Sequence, residues 1–230
     1  MTLREVRDIA TTVAVPYHEP PALIRRRRIV VAVVLVIGAA LLGYSLTRQP
    51  GDSSFYWLTL ALAAVWTVGA FASGPLHLGC VRFRGRNQRP WITGTLVGVA
   101  AGGAFLVGGL VAREIPGVRE YITRVLEFAD YGPLALVVFI TVVNGVAEEL
   151  YFRGALYTAL GNAYPAIIST IVNVAAVLAT RNPMLAFAAV ILGAVCAYER
   201  RVTGGVLAPV LTHFFWGLIM VLALPPVFGV

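Results

Sequence analysis

The chain has 230 residues, of which 59% are hydrophobic and only 13% charged, whereas a soluble domain carries about a quarter charged residues. That composition excludes a water-soluble globule. The net charge of +7 does not indicate a nucleic-acid partner either, because the basic residues flank apolar stretches and no nucleic-acid motif accompanies them.

Uncharged stretches run 29–47, 55–76, 91–112, 131–147, 154–180, 182–198 and 202–230. A helix needs about 20 apolar residues to cross the roughly 30 Å hydrocarbon layer. The expected fold is therefore all-α: a polytopic transmembrane bundle of about seven helices. Stretches 131–147 and 182–198 are marginal alone and need neighbours or tilt to span. The division expected is an N-terminal arm at 1–28, three transmembrane helices and an amphipathic connector over 29–130, and a transmembrane core over 131–230.

In the arm, Leu3, Val6, Ile9 and Val13 recur at near-helical spacing, and Pro16, Pro20 and Pro21 end any helix there. Such an arm lies on the membrane surface, docks on a partner, or is a loosely ordered tail. Arg25 to Arg28 place the N-terminus in the cytoplasm by the positive-inside rule. The first apolar run has a long leader and no small-residue cleavage site, which reads as an uncleaved helix. It runs outward; a second, about 55–78, returns to the arginine-rich loop of Arg82, Arg84, Arg86 and Arg89. A third helix, 91–112, goes out to a charge-balanced amphipathic segment at 113–130. The fourth, from about 133, comes in and ends around Glu148 to Arg153. Helices at 165–180, 184–198 and 205–224 follow, which leaves the C-terminus external. Cys80 and Cys196 form no framework and read as free thiols. The chain contains no lysine, a usage that points to a GC-rich bacterium and to its cell membrane.

The charged run Glu148-Glu149-Leu150-Tyr151-Phe152-Arg153 breaks the apolar pattern. Glu149 and Arg153, four apart, share a helical face and can pair. Glu148 points about 100° away, on the face of Asn144. Intramembrane carboxylates cost about 2.5–3.5 kcal/mol on insertion scales and usually line a cavity or pair; a wet, interfacial helix end is the alternative. His213, in an apolar helix, is a candidate base, ligand or donor, or a packing residue. No cofactor and no metal site is indicated, since nothing has His-Glu-x-x-His spacing.

Glu148-Glu149-x-x-x-Arg153-Gly154 resembles the first motif of the CPBP family of membrane proteins, which holds the type II CAAX prenyl proteases and the lysostaphin-resistance-protein-A-like proteins. Gly193, Tyr198-Glu199-Arg200, Thr203-Gly204, Ala208-Pro209 and His213 then follow that family's last core helices in order, so the resemblance covers roughly 131–220. It implies that Glu148 activates a water for peptide hydrolysis, that Glu149 and Arg153 complete the motif with Arg153 orienting the site, and that His213 helps bind the oxyanion. Two positions depart from the pattern. The helix of Ile167 to Thr180 lacks the family's histidine, Asn173 being its one strongly polar side chain, and Gly217 stands where the last motif has asparagine. A lost oxyanion donor typically costs 10²–10³ in rate.

The sequence therefore favours a non-catalytic accessory or scaffold subunit, which would have the lipid bilayer and another membrane protein or complex, such as a transporter, as partners. The alternative is an intramembrane glutamic-type endopeptidase with Glu148 as base. A transporter of its own is disfavoured by the absence of repeated halves.

Overall fold

The structure is a computed structural model that describes residues 7, 11, 13, 14, 19–83 and 85–230. Leu3, Val6, Ile9 and Pro16 of the expected arm lie outside the described residues. From Pro21 onward eight helices follow in order: α1 (Pro21–Ser45), α2 (Ser53–Ser73), α3 (Trp91–Ala112), α4 (Val118–Asp130), α5 (Leu134–Leu160), α6 (Pro165–Leu178), α7 (Pro183–Thr203) and α8 (Leu207–Phe228). A two-stranded antiparallel hairpin, β1 (Val81–Phe83) with β2 (Arg86–Gln88), joins α2 to α3, with Arg82 opposite Asn87. α1, α2, α3, α5, α7 and α8 are long and apolar enough to cross a membrane, which makes the chain a multi-pass helical membrane protein. α6, at 14 residues, spans only about 21 Å at 1.5 Å per residue.

Several boundaries differ from the sequence expectation, each for a physical reason. Pro21 occupies the first turn of α1, where its missing N–H costs nothing, so Arg25 to Arg28 sit within the helix. The fourth helix does not stop at Glu148 to Arg153 but continues to Leu160, through a π-helical stretch at Leu150–Leu156. The marginal stretches 131–147 and 182–198 thus both belong to full-length helices. Their charges interrupt hydropathy without interrupting structure, because Glu149, Arg153, Glu199 and Arg200 are all buried.

The core forms where α1, α2 and α5 meet. Trp66 lies 4.3 Å from Tyr151 and 5.3 Å from Phe152 between ring centroids, and the Tyr151 hydroxyl donates to the Val31 carbonyl at 2.6 Å. α3 packs along α8 through small residues at Gly94, Gly98 and Gly102, the means of close approach in lipid. Thr212 on α8 donates to the Gly94 carbonyl at 3.0 Å.

Contacts among the loops define two ends of the bundle. At one end the 74–80 loop pairs with the α7–α8 turn: Cys80 N–H to Thr203 O at 2.9 Å and Val206 N–H to His77 O at 2.8 Å. The approach is so close that Gly79, at φ +79°, and Gly205 leave no room for a side chain. Ala14 N–H reaches Arg201 O at 3.0 Å on the same end, and the buried Arg27 ties Glu19 to Ser73 and the Pro75 carbonyl. Arg25, Arg26, Arg28, Arg82, Arg86, Arg89 and Arg201 are exposed here. At the opposite end α4 lies across the bundle, with Phe128 4.5 Å from Phe55 and the Asn182 side chain donating to the Tyr121 carbonyl at 2.8 Å. Its arginines (48, 113, 119, 124, 181) are matched by Asp52, Glu114, Glu120, Glu127 and Asp130.

Candidate functional site

The Glu-Glu pair sits near the middle of the 27-residue α5 and not at its end. Glu149 is 1% exposed and Arg153 0%. Arg153 Nη1 lies 3.3 Å from Glu149 Oε1, and Nη2 donates to the Gly193 carbonyl of α7 at 2.9 Å. The π stretch is pinned from α7 as well, since Arg200 Nε donates to the Arg153 carbonyl at 2.7 Å. A buried charge pair held by further hydrogen bonds in this way specifies geometry more than it adds stability.

His213 reaches into the same network from α8. Its Nδ1 lies 2.9 Å from Glu149 Oε1. The hydrogen bond goes to Glu149 and not to Glu148. A carboxylate acceptor at Nδ1 requires the proton there, so in the neutral ring Nε2 is an acceptor and donates only when the ring is doubly protonated. The ring packs flat enough on α5 that a Cβ at Gly145 would come within 2.8 Å of its Cδ2.

Glu148 faces a cavity of 190 Å³ that is also lined by Glu149, Arg153, Asn173, Gly193, His213 and Trp216, with Leu42, Val177, Leu185 and Leu192 forming apolar walls and Thr180 at their outer end. Half-buried, Glu148 accepts no hydrogen bond from a described residue, and its oxygens are not among the enclosed, unsatisfied ones. Asn173 behaves likewise. The residue is 4% exposed, yet its amide makes no hydrogen bond to a described residue and is not enclosed, so its polar atoms meet the cavity. Asn144 does not join them: its amide donates back to Ile140 O at 2.9 Å.

The four residues expected from sequence, Glu148, Glu149, Arg153 and His213, are thus brought together around one cavity, with Asn173 opposite them. The sequence reading missed that Glu199 and Arg200 are buried and that Arg200 braces the π stretch. Gly204 carried the signal: a left-handed glycine cap, at φ 72°, puts the helix end after Thr203 and both charges inside it. Among the described residues no group of three His, Cys, Asp or Glu side chains is placed to hold a metal ion.

Fold and site together define a multi-pass membrane protein with a buried carboxylate–arginine–histidine network beside a cavity. Residues 130–219 match the family model of type II CAAX prenyl endopeptidase Rce1-like proteins, and this segment is accordingly a CPBP-family one. No curated protein and no solved structure matches the chain.

Proposed function

We propose that the chain is a CAAX-protease-like intramembrane endopeptidase in which Glu148 is the general base. The observation that carries this reading is the division of labour in the pair: Glu149 is committed to Arg153 and His213, while Glu148 meets the cavity with no hydrogen bond from a described residue. In the proposed reaction Glu148 takes a proton from a water, whose oxygen attacks the peptide carbonyl carbon. The carbonyl becomes an oxyanion and accepts from the Asn173 amide, the cavity-facing donor on the helix that lacks the family's histidine. Glu148 then passes its proton to the leaving nitrogen as the C–N bond breaks. A positioned carboxylate and a donor aimed at developing negative charge are the standard components of such chemistry. Glu148→Gln tests it: cleavage of membrane peptide substrates should fall at least 100-fold, and unchanged cleavage refutes the enzyme reading.

A second reading, the non-catalytic subunit of a membrane complex, is favoured by Asn173 and Gly217 standing where the resembling family has histidine and asparagine. Purification in mild detergent tests it, since a chain that runs alone at every expression level counts against it. On either reading we infer a bacterial cell membrane location with the arginine-rich end cytoplasmic and the C-terminus external, as the positive-inside rule requires.

A further inference from the structure

The cavity is not symmetric about the Glu-Glu pair. Its inner limit is set by Arg153, Glu149, Gly193, Asn173 and His213, all near mid-bundle. From there the lining continues in one direction only. Leu42 is near the C-terminal end of α1, Val177 and Thr180 are at the C-terminal end of α6 and beyond it, and Leu185 is in the first turn of α7. Each of these ends belongs to the charge-balanced face beneath α4, which Asn182 ties to Tyr121. No lining residue comes from the arginine-rich end: none from 157–164, none from 200–207, and none from the first two-thirds of α1.

We infer that the site is loaded from the charge-balanced, extracytoplasmic face, and that its substrate is an uncharged apolar peptide segment presented in the outer leaflet. The walls give the chemistry. Leu42, Val177, Leu185 and Leu192 with Ala188 and Ala189 line the approach with hydrocarbon, broken by the Thr180 hydroxyl, which favours an apolar segment over a charged one of the same length, while a small monovalent cation drawn towards Glu148 can still pass. The charged and amide groups lie at the floor, where Glu148 and Asn173 can engage a backbone amide. The accessible carboxylate of Glu148 also disfavours a free chain terminus bearing its own carboxylate, so the segment enters as an internal stretch. The substrate class rests on the endopeptidase reading above, whereas the direction of access rests on geometry and on the arginine-rich end being cytoplasmic.

Thiol labelling separates the two. Native Cys80 is exposed at the arginine-rich end and Cys196 is buried, so the unaltered full chain is its own control. With a membrane-impermeant trimethylammonium methanethiosulfonate, intact cells expressing the unaltered chain should show no labelling, and permeabilised cells one label. Thr180→Cys and Ala188→Cys variants should each gain one label in intact cells. If Ala188→Cys reacts only after permeabilisation, as Cys80 does, or on neither side, the inference is overturned. Labelling does not depend on catalysis, so it decides access even where Glu148→Gln shows that nothing is cleaved. Where cleavage is present, labelling Ala188→Cys from outside should abolish it. An unaltered rate after full labelling would show that the substrate takes another path.

Discussion

Arg153→Met removes the cation from the most enclosed Arg–Glu pair among the described residues. The side chains of Arg153 and Glu149 are 1% and 2% exposed, and Glu149 Oε2 accepts no hydrogen bond from an oxygen or nitrogen of a described residue. After the substitution the His213 ring would be the one basic group still bonded to the carboxylate, and the Gly193 carbonyl would keep one longer bond, from Thr170 at 3.3 Å. Breaking a buried pair by removing one member costs about 3–5 kcal/mol, because the remaining charge is uncompensated. At about 2–4 °C per kcal/mol for a chain of this size, the midpoint of thermal unfolding in detergent should fall by roughly 6–20 °C. The double variant Arg153→Met, Glu149→Gln removes both charges and should recover most of that loss. Size-exclusion thermostability on the wild type, both single variants and the double variant closes the cycle. A shift of less than about 2 °C for Arg153→Met, or a double variant no more stable than the single one, would refute the claim that Glu149 is held chiefly by Arg153.

Other consequences are open to measurement. Asn173→Ala should lower kcat by about 10²–10³ with little change in KM, the usual effect of losing an oxyanion donor, and Asn173→His should restore part of it; an unchanged kcat would remove Asn173 from the reaction. Gly145→Ala should push the His213 ring off Glu149 at a cost of about 1–3 kcal/mol from overpacking, seen as a lower thermal midpoint and slower cleavage. Asn182→Ala loses the side-chain oxygen that caps α7 at Met184 and Leu185 and the bond to Tyr121. It should cost about 1 kcal/mol for the cap and speed amide exchange in α4. At the arginine-rich end, burial pushes the His77 imidazole below its ordinary 6.5 and the nearby Arg200 and Arg27 charges push the same way, against Glu19. The folded form therefore prefers neutral His77. This contribution to stability is complete above pH 6.5 and declines as pH falls through that value. His77→Asn should flatten the decline in a melting series from pH 8 to pH 5.

The membrane class was legible because it depends on an average over the whole chain, and seven long uncharged runs survive any local error. Helix ends were less legible, for one consistent reason: charges were read as boundaries. In water that reading is sound, but inside a bundle a charge ends a helix only if it reaches the surface. Glu149 and Arg153 do not, because they satisfy one another across one helical turn. Arg200 does not either, because it bonds the Arg153 carbonyl within the π stretch. Both facts concern contacts between α5 and α7, which no local pattern contains. The capping signals were present throughout: Pro21 in the first turn of α1, Asn182 before α7 and Gly204 after it are all local rules that outperformed hydropathy.

The same logic explains what the sequence said of the site and what it omitted. The four-residue spacing of Glu149 and Arg153 correctly placed them on one face, and the 100° offset of Glu148 correctly separated it from them. Spacing could not choose which carboxylate His213 would meet, because that depends on how α8 is rotated against α5. Rotation is set by the lack of a side chain at Gly145 and by the Thr212 bond to Gly94 on the other face of α8. Had His213 met Glu148, the candidate base would have been neutralised by its own neighbour, and the cavity would hold no free carboxylate. Because α8 instead delivers His213 to the already paired Glu149, the one carboxylate left over is the one that faces the cavity, and the missing histidine on α6 weakens the catalytic reading only as far as Asn173 fails to replace it.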